Sequence, residues 1–133
     1  MNKYAIIVAG GSGSRMGTDL PKQFIELAGK PILMRTISQF LKASADIEII
    51  LVLPQRQVGF WKELVQKHQF DVPHSIVFGG ASRFQSVRNG LGAIENTEGL
   101  VAIHDGVRPF ISVSIILGSY QKAVEFGSSV VSV

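Results

Sequence analysis

Tyr4-Ala5-Ile6-Ile7-Val8 runs without a break into Ala9-Gly10-Gly11-Ser12-Gly13-Ser14-Arg15-Met16-Gly17, and Pro21-Lys22-Gln23 follows shortly after. An apolar run that opens into a glycine loop reads as a buried strand delivering the chain to a ligand. The glycines Gly10, Gly11 and Gly13 let the backbone turn tightly and bring bare N–H groups against an anion. Ser12 and Ser14 add hydroxyl donors without bulk, Arg15 adds a permanent forked cation, and Lys22 adds a second cation. Backbone donors with two cations suit a polyphosphate. Two familiar glycine loops are excluded. The dinucleotide fingerprint needs a third glycine where Met16 stands, and the P-loop needs a Gly-Lys-Ser/Thr that is missing here. A strand-to-helix turn with incidental surface cations would account for the glycines alone. Arg15 and Pro21-Lys22-Gln23 together favour the phosphate site.

Outward from this loop, strand and helix patterns alternate. Pro31 opens a helical stripe of Ile32, Leu33, Ile37, Phe40 and Leu41, and Ile47–Leu53 is an almost wholly apolar strand closed by Pro54. Phe60, Trp61, Leu64, Val65 and His68 mark a second helix, ended by Asp71-Val72-Pro73. A third strand, Ser75–Phe78, runs into Gly79-Gly80. Phe84, Val87, Leu91 and Ile94 then predict a helix with its apolar stripe inward, weakened at its last turns by Gly90 and Gly92. Leu100–His104 reads as a strand stopping at Asp105-Gly106, a helix carries Ile115, Ile116, Tyr120, Ala123 and Val124, and 129–133 reads as a fifth strand. The alternation predicts an α/β fold with a mostly parallel, doubly covered sheet. The glycine loop, Gly79-Gly80 and Asp105 each follow a strand, so they should meet at the carboxyl edge, where ligands bind. The chain stops inside a strand without a polar tail, which reads as a truncated protein.

The 133 residues suffice for one domain with one core, and the 46% apolar and 17% charged content describes a globular protein. A net charge of +3 suits an anionic small molecule and is too weak and scattered for nucleic acid. The chain has no cysteine, which excludes disulfides, thiolate metal sites and cysteine nucleophiles. No signal peptide or membrane-length apolar run is visible, so the expected compartment is the cytoplasm, with no membrane partner.

Ala9–Met16, Pro21-Lys22-Gln23, Gly79-Gly80-Ala81-Ser82-Arg83-Phe84-Gln85-Ser86-Val87 and His104-Asp105-Gly106-Val107-Arg108-Pro109 together resemble the 2-C-methyl-D-erythritol 4-phosphate cytidylyltransferase family in order and spacing. The first motif alone is shared with other sugar nucleotidyltransferases. The resemblance implies a Rossmann-like nucleotidyltransferase fold, of which residues 1–133 would be the N-terminal, nucleotide-binding portion. It also implies transfer of a cytidylyl group from CTP to a polyol phosphate with Mg²⁺, giving a CDP-polyol for isoprenoid precursor synthesis, and a homodimer. Arg15 and Lys22 would be the catalytic cations. Ala9, Gly10, Gly11, Ser12 and Gly13 would hold the triphosphate, and Gly79, Gly80, Ala81 and Ser86 would line the pyrimidine pocket. Many relatives in that family carry an acidic residue where this chain has Ala81, which leaves backbone contacts there. Three other readings stay open: a ribitol-5-phosphate cytidylyltransferase, a non-catalytic nucleotide-binding module, and, least favoured, a NAD-binding domain.

Asp105 is a hard oxygen ligand beside a glycine, suited to Mg²⁺ or the ribose, although Asp-Gly is also a common turn. Arg108 either pairs with Asp105 or contacts substrate phosphate. Strand alternation points His104 away from Asp105, as a satisfied, half-buried histidine. His68, His74 and Trp61 read as surface and packing residues.

Overall fold

The main strands are short apolar runs whose ends are set by a glycine, a proline or an aspartate. The computed structural model of the protein describes residues 2–10, 20–94, 99–125 and 130–132. Its elements in chain order are β1 (Asn2–Val8), a single 3₁₀ turn (Lys22–Phe24), β2 (Glu26–Leu27), β3 (Lys30–Pro31), α1 (Ile32–Ala43), β4 (Ile47–Leu53), α2 (Gln55–Lys67), β5 (Ser75–Phe78), α3 (Arg83–Gly92), β6 (Gly99–Asp105), α4 (Val113–Glu125) and β7 (Val130–Ser132). Five strands form one sheet in the order β5-β4-β1-β6-β7, and every pairing in it is parallel. The expected α/β architecture and its parallel sheet are therefore present.

The order carries the functional consequence. From β1 the chain steps outward to β4 and β5, then returns across the sheet to β6, so the direction reverses between β1 and β6. That boundary is where α/β sheets open a ligand crevice. Register aligns the strand ends: Val8 pairs with Val52 and with Asp105, and Leu53 pairs with Phe78. Backbone bonds extend the ladder past these ends, from Ala9 N–H to Val52 O (3.0 Å), Gly79 N–H to Leu53 O (2.7 Å) and Gly106 N–H to Val8 O (2.9 Å).

One face of the sheet packs against α1, α2 and α4 through Leu33, Met34, Ile37, Phe40, Trp61, Leu64, Ile116 and Tyr120. The other face packs Tyr4, Ile6, Val8, Ile50, Val52 and Val101 against Val87 and Ile94, at α3 and just beyond it. Of the stripe expected for α3, Val87 and Ile94 pack inward, whereas Phe84 is 75% exposed and Leu91 lies at the surface, and Ser86 and Gly90 are the helix residues most deeply buried. A Cβ at Gly90 would stand 2.9 Å from Ile6 Cγ2 and 3.1 Å from Val52 Cγ2. The glycine lets the helix lie close on the sheet, where a side chain would push it away.

Two other boundaries differ from expectation. α2 ends at Lys67, before Asp71-Val72-Pro73. Gln69 takes the left-handed conformation (φ 51°), its N–H bonds Gln66 O, and Phe70 N–H bonds Val65 O, which together form a Schellman cap. The β2–β3 hairpin was not foreseen. Ala28 and Gly29 both have positive φ, as a two-residue hairpin turn requires, and Arg35 donates to the carbonyls of Leu27 and Ala28.

Candidate functional site

Four strand ends wall a cleft of about 560 Å³. Val8 and Gly10 come from the end of β1, and Pro54, Gln55 and Arg56 from the end of β4. Gly79 to Arg83 and Ser86 follow β5, and Asp105 ends β6. The three segments expected to converge therefore share one cavity, represented in the glycine loop by Gly10. Gly11, Ser12, Gly13 and Arg15 lie outside the described residues.

The Gly79-Gly80 turn is built for close backbone approach. Gly80 N–H donates to Ser86 Oγ at 3.0 Å, and Asn89 donates to Phe78 O at 3.0 Å. A Cβ on Gly80 would overlap Gln85, and one on Gly79 would crowd Ser86 Oγ at 3.1 Å. Ser86 is buried, and its hydroxyl oxygen accepts from Gly80. Ala81 and Ser82 line the same wall, both exposed. Ser82 caps α3 by accepting from Gln85 N–H at 3.1 Å, and this puts a helix N-terminus, with its partial positive charge, at the cavity.

Asp105 stands on the opposite wall, its side chain 40% exposed. Its Oδ1 accepts from Val107 N–H at 3.2 Å, and its Oδ2 lies 4.0 Å from Arg108 Nε. That ion pair is loose, and Arg108 is 75% exposed, so solvent screening makes it a weak contributor to stability. The turn beneath is held rigidly. Thr36 Oγ1, buried on α1, donates to Gly106 O at 2.8 Å. A Cβ at Gly106 would meet Ala9 Cβ at 2.8 Å, so the Asp105 turn and the start of the glycine loop pack directly on each other. His104 points away from Asp105, as expected, but is fully buried (2% exposed) where half-burial was expected. It packs edge-on against Phe40, and its Nε2 lies 2.9 Å from Arg108 O, an acceptor, so Nε2 carries the proton.

Lys22 is exposed at the first position of the 3₁₀ turn. The next residue, Gln23, is only 2% exposed, and its Nε2 bonds both Ala9 O (3.3 Å) and Gln57 Oε1 (2.6 Å). Trp61 is fully buried and donates to His74 Nε2 at 3.0 Å, and His74 Nδ1 lies 2.8 Å from Val72 O. Both rings are therefore packing residues, with the His74 proton on Nδ1. His68 lies 3.8 Å from Glu26, away from the cleft walls. Among the described residues no three metal-ligating side chains cluster.

A family model for 2-C-methyl-D-erythritol 4-phosphate cytidylyltransferase (IspD) matches residues 4–132. The chain belongs to this family. It is 52% identical over 123 residues to the 2-C-methyl-D-erythritol 4-phosphate cytidylyltransferase of Phocaeicola vulgatus, covering 92% of this chain and 56% of that one. The Geobacter metallireducens enzyme of the same name is 42% identical over 137 residues, covering 100% of this chain and 59% of the relative. The chain thus spans just over half the length of the curated relatives it matches. Among solved structures, the 4-diphosphocytidyl-2C-methyl-D-erythritol synthase of Anaerococcus prevotii superposes with a TM-score of 0.73 at 33% identity, covering 91% of this chain and 50% of that chain.

Within the cytidylyltransferase family frame, two cations that line the cleft were given no role in the sequence, Arg56 and Arg83, the second quoted only as part of its motif. Each occupies the first turn of a helix that directly follows a strand ending at the cleft. That position is itself a signal, since such turns face the ligand edge of a parallel sheet. Gln23 was read only as part of the Pro21-Lys22-Gln23 motif, and Gln57 and Thr36 went unread, because buried polar partners carry no periodicity.

Proposed function

We propose that this chain carries the nucleotide half of a cytidylyltransferase that moves a cytidylyl group from CTP to 2-C-methyl-D-erythritol 4-phosphate, releasing pyrophosphate. The observation that carries the reading is a single cleft walled by Gly10, by Gly79-Gly80 with Ser86, and by Asp105. In this reading the glycine loop (Ala9, Gly10, Gly11, Ser12 and Gly13) holds the triphosphate through backbone N–H groups. Gly79, Gly80, Ala81 and Ser86 hold the base by close backbone approach and one hydroxyl. Asp105 faces the ribose and the metal, and Arg108 faces substrate phosphate.

The acceptor is a phosphate monoester with a second pKa of about 6, so an ionised oxygen is available at neutral pH and no general base is needed. That oxygen attacks the α-phosphorus, the bond to the bridging oxygen breaks, and pyrophosphate leaves with the electron pair. The requirement is neutralisation of the charge that develops on the α-phosphate and the leaving group, which falls to Arg15 and Lys22. Asp105, the one carboxylate among the described residues that line the cleft, is half-exposed and fits Mg²⁺, which takes one or two carboxylates with substrate phosphates and keeps several waters. Asp105 would hold it, and the ion when bound neutralises triphosphate charge.

No helix among the described residues is long and apolar enough to cross a membrane. A cytoplasmic homodimer completes the proposal, and the exposed apolar side chains of Phe110, Ile115 and Leu117 support a protein partner surface. Pyrophosphate release from CTP, measured with methylerythritol phosphate and with ribitol 5-phosphate side by side, tests the reaction. Faster release with the former is expected. CTP binding without release would reduce the chain to a binding module. Lys22→Ala and Arg15→Ala should each lower turnover by roughly 100- to 1,000-fold, the loss typical of one transition-state donor.

A further inference from the structure

Gln23 makes an arrangement with a fixed direction. Ala9 O can only accept, so the atom of Gln23 facing it must be the amide nitrogen. The second hydrogen of the same nitrogen goes to Gln57 Oε1 at 2.6 Å. Both side chains are buried, at 2% and 8% exposure, so neither bond competes freely with water. Three chain segments are joined at one nitrogen. Ala9 precedes the cleft residue Gly10, Gln57 follows the cleft residue Arg56 in the first turn of α2, and Gln23 follows Lys22. Phe24 N–H bonds Pro21 O at 3.0 Å, which closes the 3₁₀ turn around Lys22 and limits its movement independently of Gln23.

We propose that Gln23 and Gln57 form a one-way hydrogen-bond clamp that sets where Lys22 stands relative to the glycine loop, making Gln23 a positioning residue for nucleotidyl transfer. The proposal rests on the reading of Lys22 as a transition-state cation. The clamp's direction separates two chemically identical substitutions. Gln23→Glu replaces the donor by an acceptor facing Ala9 O. Gln57 can turn its amide over to meet the new carboxylate, but a backbone carbonyl held in the sheet edge cannot. Gln57→Glu keeps an acceptor where Gln23 needs one.

Pyrophosphate release and CTP binding on the protein, with CTP and the polyol phosphate, decide the matter. Gln23→Glu is expected to lower kcat ten- to a hundredfold while CTP affinity stays within about threefold, as a small misplacement of a catalytic group would. Gln57→Ala should lower kcat in the same direction, and Gln57→Glu should restore it to within about threefold of the parent. In a Lys22→Ala background, Gln23→Glu should cost less than a further twofold, because its effect passes through the lysine. An unchanged kcat in Gln23→Glu, equal effects of the two Gln57 variants, or a full additional loss in the Lys22→Ala background would each overturn the clamp. If Gln23→Glu does not fold, the Gln57 pair carries the test. Should the protein release no pyrophosphate at all, the functional reading fails while the clamp is still measurable. The urea midpoint shifts of Gln23→Ala and Gln57→Ala must then be less than additive in the double variant, and additive shifts would remove the clamp.

Discussion

The two faces of the sheet are built on different principles. The face under α1, α2 and α4 is filled by large side chains, with Trp61 against Phe24, Phe70 and His74, and with Tyr120 reaching across to donate to Tyr4 O at 2.6 Å. The face under α3 receives only one apolar side chain from the helix that packs on the cluster, the partly buried Val87. Ser86 and Gly90 take the inward positions, and close approach substitutes for bulk. The first face stabilises the domain. The second sacrifices helix side chains to bring the α3 N-terminus and the Gly79-Gly80 turn to the cleft. Where α3 comes close to the sheet its most buried positions are small residues, and apolar side chains of the same helix, Phe84 above all, end in solvent.

The contrast can be broken at several points. Trp61→Ala should cost about 3–5 kcal/mol in urea unfolding, through cavity formation and loss of the bond to His74. A loss under 1 kcal/mol would mean that the large-residue face is not the stabilising one. Tyr120→Phe should cost about 1–2 kcal/mol. Burial, with a smaller contribution from the Asp46 charge, raises the Tyr120 phenol above its ordinary value near 10. The unfolded chain therefore loses this proton first, so its contribution is intact below about pH 10 and is lost as pH rises further. Alkaline unfolding curves of parent and Tyr120→Phe should converge, and parallel curves would count against the burial.

On the other face the expected effects are smaller and of both signs. Gly90→Ala gains about 1 kcal/mol of helix propensity but meets Ile6 and Val52, with an overpacking cost of about 1–3 kcal/mol. A net loss near 1 kcal/mol and weakened CTP binding are expected by denaturation and calorimetry. Gly92, with no atom of the described residues within 4 Å of an added Cβ outside its own helix turn, should gain about 0.5–1 kcal/mol on change to Ala. Opposite signs two residues apart would confirm close approach at Gly90 alone. Phe84→Ser should move stability by less than about 0.5 kcal/mol. A larger loss would restore the apolar stripe that the periodicity suggested.

That stripe shows where sequence reading succeeds and where it stops. Strand positions and the meeting of Gly10, Gly79-Gly80 and Asp105 were legible because apolar run length and Gly, Pro or Asp terminators are local signals. The inward face of α3 was read at Val87 and missed at Phe84 and Leu91, because the periodicity argument counts apolar residues and the most buried positions here are a serine and a glycine. The Ala28-Gly29 hairpin was missed because its strands are only two residues each. The Gln23–Gln57 pair was invisible because its partners lie 34 residues apart and neither is apolar.

By itself, then, the sequence determined the alternation of elements, their terminators and the residue types a triphosphate would meet, since each follows from short-range preference and composition. Only the tertiary structure decided the register that aligns Val8, Leu53, Phe78 and Asp105 at one edge. It alone also paired the buried amides behind Lys22 and moved α3 onto the sheet through Gly90. Those outcomes depend on contacts between distant segments, whose geometry no local pattern encodes.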